Sequence, residues 1–237
     1  QQILENPDSF TLGGKKYQMS ALFTDIEKFS SFSELLSASE LGALLNYYLT
    51  KMSDIIIEEK GTIDKYEGDA IVALVGAPVE MQDHGKQACR AAIRMKKSEV
   101  QMNEEIQKIG QLKEKPADMD EDLYNAFVLM RKNQKKFFTR IGINSGEMIA
   151  GYFGSEKKKN YTMMGNNVNL ASRLEGVNKQ YHTNGILISG DTRSLLDEKF
   201  LVRSLDKIRV VNVEKPIQLY EVLDLTENVD EKMKDYV

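Results

Sequence analysis

The sequence predicts an α+β fold: a ferredoxin-like βαββαβ core with an antiparallel sheet and helices on one face, an extra C-terminal β pair and an inserted helical segment. Three observations predict it. A strand-like run at 17–25 is followed by a helical repeat, and then by two β-type runs that meet at Glu67-Gly68-Asp69. A second long helical repeat leads into further β-type sequence from 139 onward. The 237 residues, 41% of them hydrophobic, are enough for one large domain with a real core.

Each element has a local reason. Residues 1–16 read as a leader, with a Gly13-Gly14 turn, and "YQMSALFTD" is a strand ending at Asp25. Leu41, Leu44, Leu45, Tyr48, Met52, Ile55 and Ile56 recur at helical spacing, with Ser39 as N-cap and Gly61 just past the end. "TIDKYEGDAIVAL" is a hairpin. "DHGKQACRAAIRMKKSEVQMNEEIQKI" is a second amphipathic helix. The segment at about 110–137 breaks the pattern, and its stripe of Leu123, Phe127 and Met130 predicts an inserted helix or helical hairpin rather than a separate domain. "TRIGINSGEMIAGYFG" reads as two strands joined by a Ser145-Gly146 turn. "NNVNLASRLEGVNK" is a helix, "GILISG" a short strand and "DTRSLLDEK" a short helix. "VRSLDKIRVV" and "PIQLYEVL" close the domain at about 225 as a β pair, and 226–237 is a charged tail.

Composition excludes several classes. A net charge of −4 implies no general nucleic-acid electrostatics. The single cysteine, Cys89, excludes a disulfide framework and fits a reducing compartment, so a cytoplasmic location is expected. No apolar run is long enough to span a bilayer, so this segment is expected to make no membrane contact. The chain starts at Gln1 rather than Met, which reads as a piece of a longer protein with a regulatory region, and room for a membrane anchor, upstream.

The topology gathers acids. In a β-α-ββ unit the end of the first strand and the hairpin between the second and third lie at the same end of the sheet. Asp25 and Asp69 therefore become neighbours if the third strand pairs with the first. Like charges repel, so two converging carboxylates call for a cation. Oxygen ligands without His or Cys favour Mg²⁺ or Mn²⁺ over zinc. A single acid at a strand end is ordinarily just solvated; it is the convergence, with Gly68 before Asp69, that argues for a site.

A second constellation sits on the helix at 166–179. Asn167 suits a cap. Asn169 and Arg173 are four apart and share a face, while Leu170, Leu174 and Val177 face the core. An Asn–Arg pair suits a sugar and a phosphate, the arginine holding charged oxygens; it equally suits an exposed helix face. His84 and His182 have no ligand-like partners in sequence and receive no role. "GSEKKKN" reads as a solvated loop.

"ALFTDIEKFS", "DKYEGDAIVAL", "RIGINSGEMIAGYFGSEKKKNYTMMGNNVNLASRLE" and "PIQLYEVL", in this order and spacing, resemble class III nucleotide cyclase catalytic domains over roughly 15–225, apart from the helical insertion. The resemblance implies that Asp25 and Asp69 bind two metal ions, Mg²⁺ or Mn²⁺, with the Ile26 carbonyl as a further ligand. It implies that the turn Glu27 to Ser30, with Phe29 and Ser30 in it, holds a triphosphate through backbone N–H groups. Lys65 and Thr162 match the purine-reading positions of adenylate cyclases. Asn169 and Arg173 match the pair that orients the ribose and stabilises the transition state. The implied reaction turns ATP into 3′,5′-cyclic AMP and pyrophosphate. The implied partner is a second copy, in a head-to-tail homodimer with composite sites. One departure stands out: where the family carries a phosphate-binding lysine before the last strand, this chain has Val211 or Asn212, leaving Lys207, Arg209 and Lys215 as substitutes. Two rivals follow, a nucleotide-binding regulatory module without turnover and a guanylate cyclase.

Overall fold

The computed structural model describes residues 13–209 and 216–229. β1 (Gly13–Ile26) runs up the centre of the sheet and into a turn and a one-turn helix, α1 (Ser30–Ser33). α2 (Ala38–Glu58) follows. Its N-cap is Ser37 rather than Ser39: Ser37 and Glu40 form a reciprocal capping box, which needs Glu three residues after the cap. Ser39 instead donates to Asp122. Gly61 lies just past the end as expected, its N–H bonded to the Ile56 carbonyl at 2.8 Å.

β2 (Thr62–Glu67) and β3 (Ala70–Val75) form the hairpin, closed by the two-residue turn Gly68-Asp69. Gly68 has φ +64° and open space where a Cβ would stand, so glycine is there for its backbone and not for room. α3 (His84–Ile109) and α4 (Glu121–Lys132) come next. α4 is the predicted insertion helix. Phe127 and Met130 are fully buried in the main core, and the Phe127 ring meets Tyr47 of α2 edge-on at 5.2 Å. The insertion therefore packs on its own protomer.

β4 (Thr139–Gly154) corrects a second expectation. Ser145-Gly146 is no turn: β4 is one strand that pairs along β1 from Thr139↔Ile26 to Tyr152↔Gly13. Gly146, with φ +151°, sits inside the unbroken ladder opposite Met19. β5 (Lys159–Met164), which the sequence did not announce, folds back on the end of β4. α5 (Asn166–Val177), β6 (Ile186–Ser189), α6 (Gly190–Arg193), β7 (Phe200–Ile208) and β8 (Ile217–Leu225) complete the domain.

The sheet order is β2-β3-β1-β4-β6-β8-β7, with β5 paired to β4. The first four strands carry the predicted ferredoxin-like order. Among the described residues only β4–β6 is parallel. Alternation splits the strands between two cores. Leu22, Ile71, Ala73 and Val75 pack under α2, α3 and α4. Met19, Ala21, Val72, Leu74 and Met148 pack with Val168 and Ala171 of α5. Helices thus cover both faces, not one, with α5 packed on the second. Among the described residues no helix is long and apolar enough to cross a membrane.

Candidate active site

The expected acid pair forms. β3 pairs with β1 only as far as Phe23↔Val72. Past that point side chains take over the backbone groups: Thr24 Oγ1 accepts the Ile71 N–H at 3.1 Å, and Asp69 Oδ2 accepts the Ile26 N–H at 2.9 Å. Asp69 is thereby pinned beside Asp25. Both line a cleft of about 1110 Å³ with Ile26, the turn Glu27–Ser30, Arg140 and the segment Asn178–Thr183. The Asp69 carboxyl is pushed above the ordinary carboxylate value, first by burial and then by the charge of Asp25, against the opposing Ile26 N–H.

Arg140, which the sequence reading missed, bridges this site. It stands opposite Asp25 in the β1–β4 register and donates to Asp25 Oδ2 through one terminal nitrogen; its Nε donates to Glu175 on α5 at 3.0 Å. Its side chain is only 7% exposed, so the charge is held between two carboxylates rather than in water. Burial, and then Asp25, push Glu175 upward as well, while Arg140 and Lys179 pull it down. Only strand register identifies Arg140, because nothing in "FFTRIGIN" marks it.

The cleft suits a hard divalent cation. Asp25, Asp69 and the Ile26 carbonyl offer oxygen alone, and the two carboxylates converge on one cleft. No group of three or more His, Cys, Asp or Glu collects a metal among the described residues. The remaining ligands would come from water and phosphate. In the turn, the Phe29 N–H is directed to the Ile26 carbonyl at 3.3 Å and the Glu27 N–H to the Phe138 carbonyl at 2.8 Å. The cations lining the cleft are Lys28, Arg140 and Lys179, with His182 beside them. Lys207 and Arg209 do not line it, and Val211, Asn212 and Lys215 lie outside the described residues.

The other predicted residues collect elsewhere. Lys65 on the edge strand β2 is half exposed and lies 4.0 Å from Glu67. Thr162 on β5 donates to Asp64 on β2 at 2.7 Å, which joins the two elements that carry the residues expected to read the purine. Asn169 is exposed and Arg173 half-buried on α5, with Leu170 and Leu174 buried behind them as expected. Asn167 is not the cap: Gly165 holds that position, and Asn167 is bonded to β4. None of Lys65, Thr162, Asn169 and Arg173 lines the aspartate cleft of its own chain.

The family model described as the adenylate and guanylate cyclase catalytic domain matches residues 14–224. Adenylate cyclase 1 of Rhizobium meliloti (strain 1021) is 30% identical over 226 residues, covering 94% of this chain and 30% of the relative. The adenylate cyclase of Anabaena cylindrica is 32% identical over 209 residues, covering 86% of this chain and 36% of that protein, so the chain spans about a third of the length of these curated relatives. The crystal structure of the adenylyl cyclase CyaB from P. aeruginosa superposes with a TM-score of 0.74 at 30% identity, over 92% of this chain and 100% of that one.

Proposed function

We propose that this chain, which belongs to the adenylate and guanylate cyclase catalytic-domain family, converts ATP to 3′,5′-cyclic AMP and pyrophosphate at two equivalent sites shared across a head-to-tail homodimer. The observation that carries the reading is the pairing of Asp25 with Asp69 in a cleft that Asn169 and Arg173 of the same chain do not line. Each protomer holds two half-sites, and a second copy completes them.

In this reading Asp25, Asp69 and the Ile26 carbonyl would hold Mg²⁺ or Mn²⁺, two ions per site, which would supply acidification of the ribose 3′-hydroxyl and charge for the triphosphate. The chain's own residues place the groups. Asn169 of one protomer orients the ribose so that the 3′-hydroxyl stands in line with the α-phosphorus. Arg173 donates to the phosphoryl oxygens where charge develops, and pyrophosphate leaves toward the cleft cations. The turn Glu27–Ser30 and Arg140 sit on the aspartate side, at the tail of the triphosphate.

Base choice follows from donors and acceptors. Lys65 donates to adenine N1 but meets the N1–H of guanine donor to donor. The Thr162 hydroxyl gives its proton to Asp64 at 2.7 Å, so Oγ1 turns lone pairs to the base. Those accept from the adenine amino group and repel the guanine carbonyl. The test is turnover of ATP and GTP with Mg²⁺ or Mn²⁺, followed by mixing Asp25→Ala chains with Arg173→Ala chains. Activity should return in the mixture through one intact site per heterodimer. GTP preferred over ATP would overturn the base assignment; no recovery between soluble, dimeric variants would overturn the shared site.

A further inference from the structure

Outside the substrate residues, a file of buried polar side chains crosses the domain and ends on α5. Asn144 of β4 is at its head and is completely buried. Its Oδ1 accepts from the Ser189 hydroxyl at 2.6 Å. Its Nδ2 donates to the Asn167 carbonyl at 2.9 Å and to Asn167 Oδ1 at 3.3 Å. The orientation of the amide is forced, since a carbonyl cannot donate. Asn167 in turn donates to the Glu147 carbonyl at 3.0 Å, lying directly over Gly146, where a Cβ would stand 2.6 Å from its Nδ2. Behind Ser189 the file continues through Thr192 (3.3 Å), Ser145 (3.0 Å), Ser20 (2.7 Å) and His84 Nδ1 (2.8 Å).

A packed core does not need this arrangement. Asn167 sits inside α5, where its carbonyl has a helical partner in any case, so the bond from Asn144 satisfies no orphan of the helix. What the bond does is fasten the first turn of α5 to β4. Asn169 and Arg173 follow two and six residues later on the same rigid helix.

We propose that Asn144, braced by Ser189, is a positioning residue: it sets how α5 stands off the sheet and therefore where Asn169 and Arg173 meet Asp25 and Asp69 of the partner subunit. The inference rests on the shared-site reading above. It makes the fault in an Asn144 variant a fault of the α5 half-site alone, with the aspartate half-site of the same chain intact.

The experiment is a sorting test on dimers of the full chain. Asn144→Ala alone should lower kcat at least about tenfold, with KM for Mg²⁺–ATP within about twofold, because the lost contact acts on groups engaged in the transition state. Mixed in equal amounts with Asp25→Ala, it should recover up to about a quarter of wild-type activity, since half the dimers then hold one wild-type site. Mixed with Arg173→Ala, it should recover nothing, because both chains lack the same half. If Asn144→Ala fails to fold, Asn144→Asp and Ser189→Ala carry the same two mixtures. Recovery with both partners, with neither, or with Arg173→Ala alone overturns the proposal when the Asp25→Ala and Arg173→Ala control recovers. Loss of recovery in that control overturns the shared site itself, and the positioning role falls with it.

Discussion

Gly142→Ala tests the seating of α5 by steric means. Gly142 lies in the middle of β4, between Phe23 of β1 and Leu187 of β6, and α5 crosses directly over it. A Cβ there would stand 2.3 Å from the Glu175 nitrogen and 2.4 Å from the Ala171 carbonyl oxygen. Both are backbone atoms, and neither can rotate aside. An ordinary contact needs at least 3.4 Å, so the helix must retreat by about 1 Å. Overpacking of this kind costs about 1–3 kcal/mol, which for a domain of this size lowers Tm by roughly 2–12 °C. The effect on catalysis should be larger, because a misplacement of about 1 Å is worth on the order of a hundredfold in rate. The assay is turnover of Mg²⁺–ATP well below Tm, with dimer content checked by sedimentation. Arg173→Ala chains should not complement the variant, because both chains then lack a correctly placed α5 half-site. Turnover within about threefold of wild type at unchanged Tm would refute the reasoning, since either α5 does not rest on Gly142 or its depth does not matter to the rate.

Asp69→Asn should abolish turnover by about a thousandfold or more while leaving thermal stability equal or higher, because Asn still accepts from Ile26 and removes a charge that both burial and Asp25 oppose; a clear fall in Tm would contradict the site's electrostatics. Asp64→Asn should weaken ATP-over-GTP preference by about tenfold in kcat/KM, since the new amide can donate to Thr162 and free its hydroxyl to donate to a guanine carbonyl; an unchanged ratio would put the base elsewhere. Phe127→Ala should cost about 3–5 kcal/mol in urea unfolding, because the side chain is fully buried against α2 and the insertion shares the main core. A separate, lower-temperature transition for α4 with the rest unchanged would argue against that.

Periodicity made most of the elements legible. The stripes of α2, α3 and α4 and the β2–β3 hairpin all read correctly, since amphipathic spacing and a Gly-centred turn are local signals. The failures lie where tertiary context decides. Ser145-Gly146 carries the composition of a turn, yet Ser145 is buried against Ser20 and Gly146 bends within the ladder to admit Asn167. β5 is short and polar, and only pairing with β4 makes it a strand. That α5 covers the second face could not be read either, because Leu170 and Leu174 specify a buried stripe without saying against which face of the sheet. In the site, Asp25 and Asp69 were legible because topology forces strand ends together. Arg140 was not, because its position opposite Asp25 is a fact of register.

Register also explains how one hairpin could hold groups for the two proposed sites. β2 has a bulge between Ile63 and Lys65, so Asp64 and Lys65 together oppose Val72. A regular strand would send these neighbours to opposite faces. The bulge instead lets Asp64 reach Thr162 of β5 while Lys65, proposed above to read the base, stays half exposed on the edge strand. From Lys65 the regular ladder resumes and ends at Glu67↔Ala70, and the left-handed backbone of Gly68 then turns Asp69 back to the Ile26 N–H and the chain's own aspartate cleft. Removing the bulge by deleting one residue would shift either the edge or the turn by one position. The edge would then lose the Asp64–Thr162 contact, or the turn would lose the Asp69–Ile26 contact. In the proposed dimer, the extra residue is thus what would allow six residues of strand and a two-residue turn to hold groups for both sites at once.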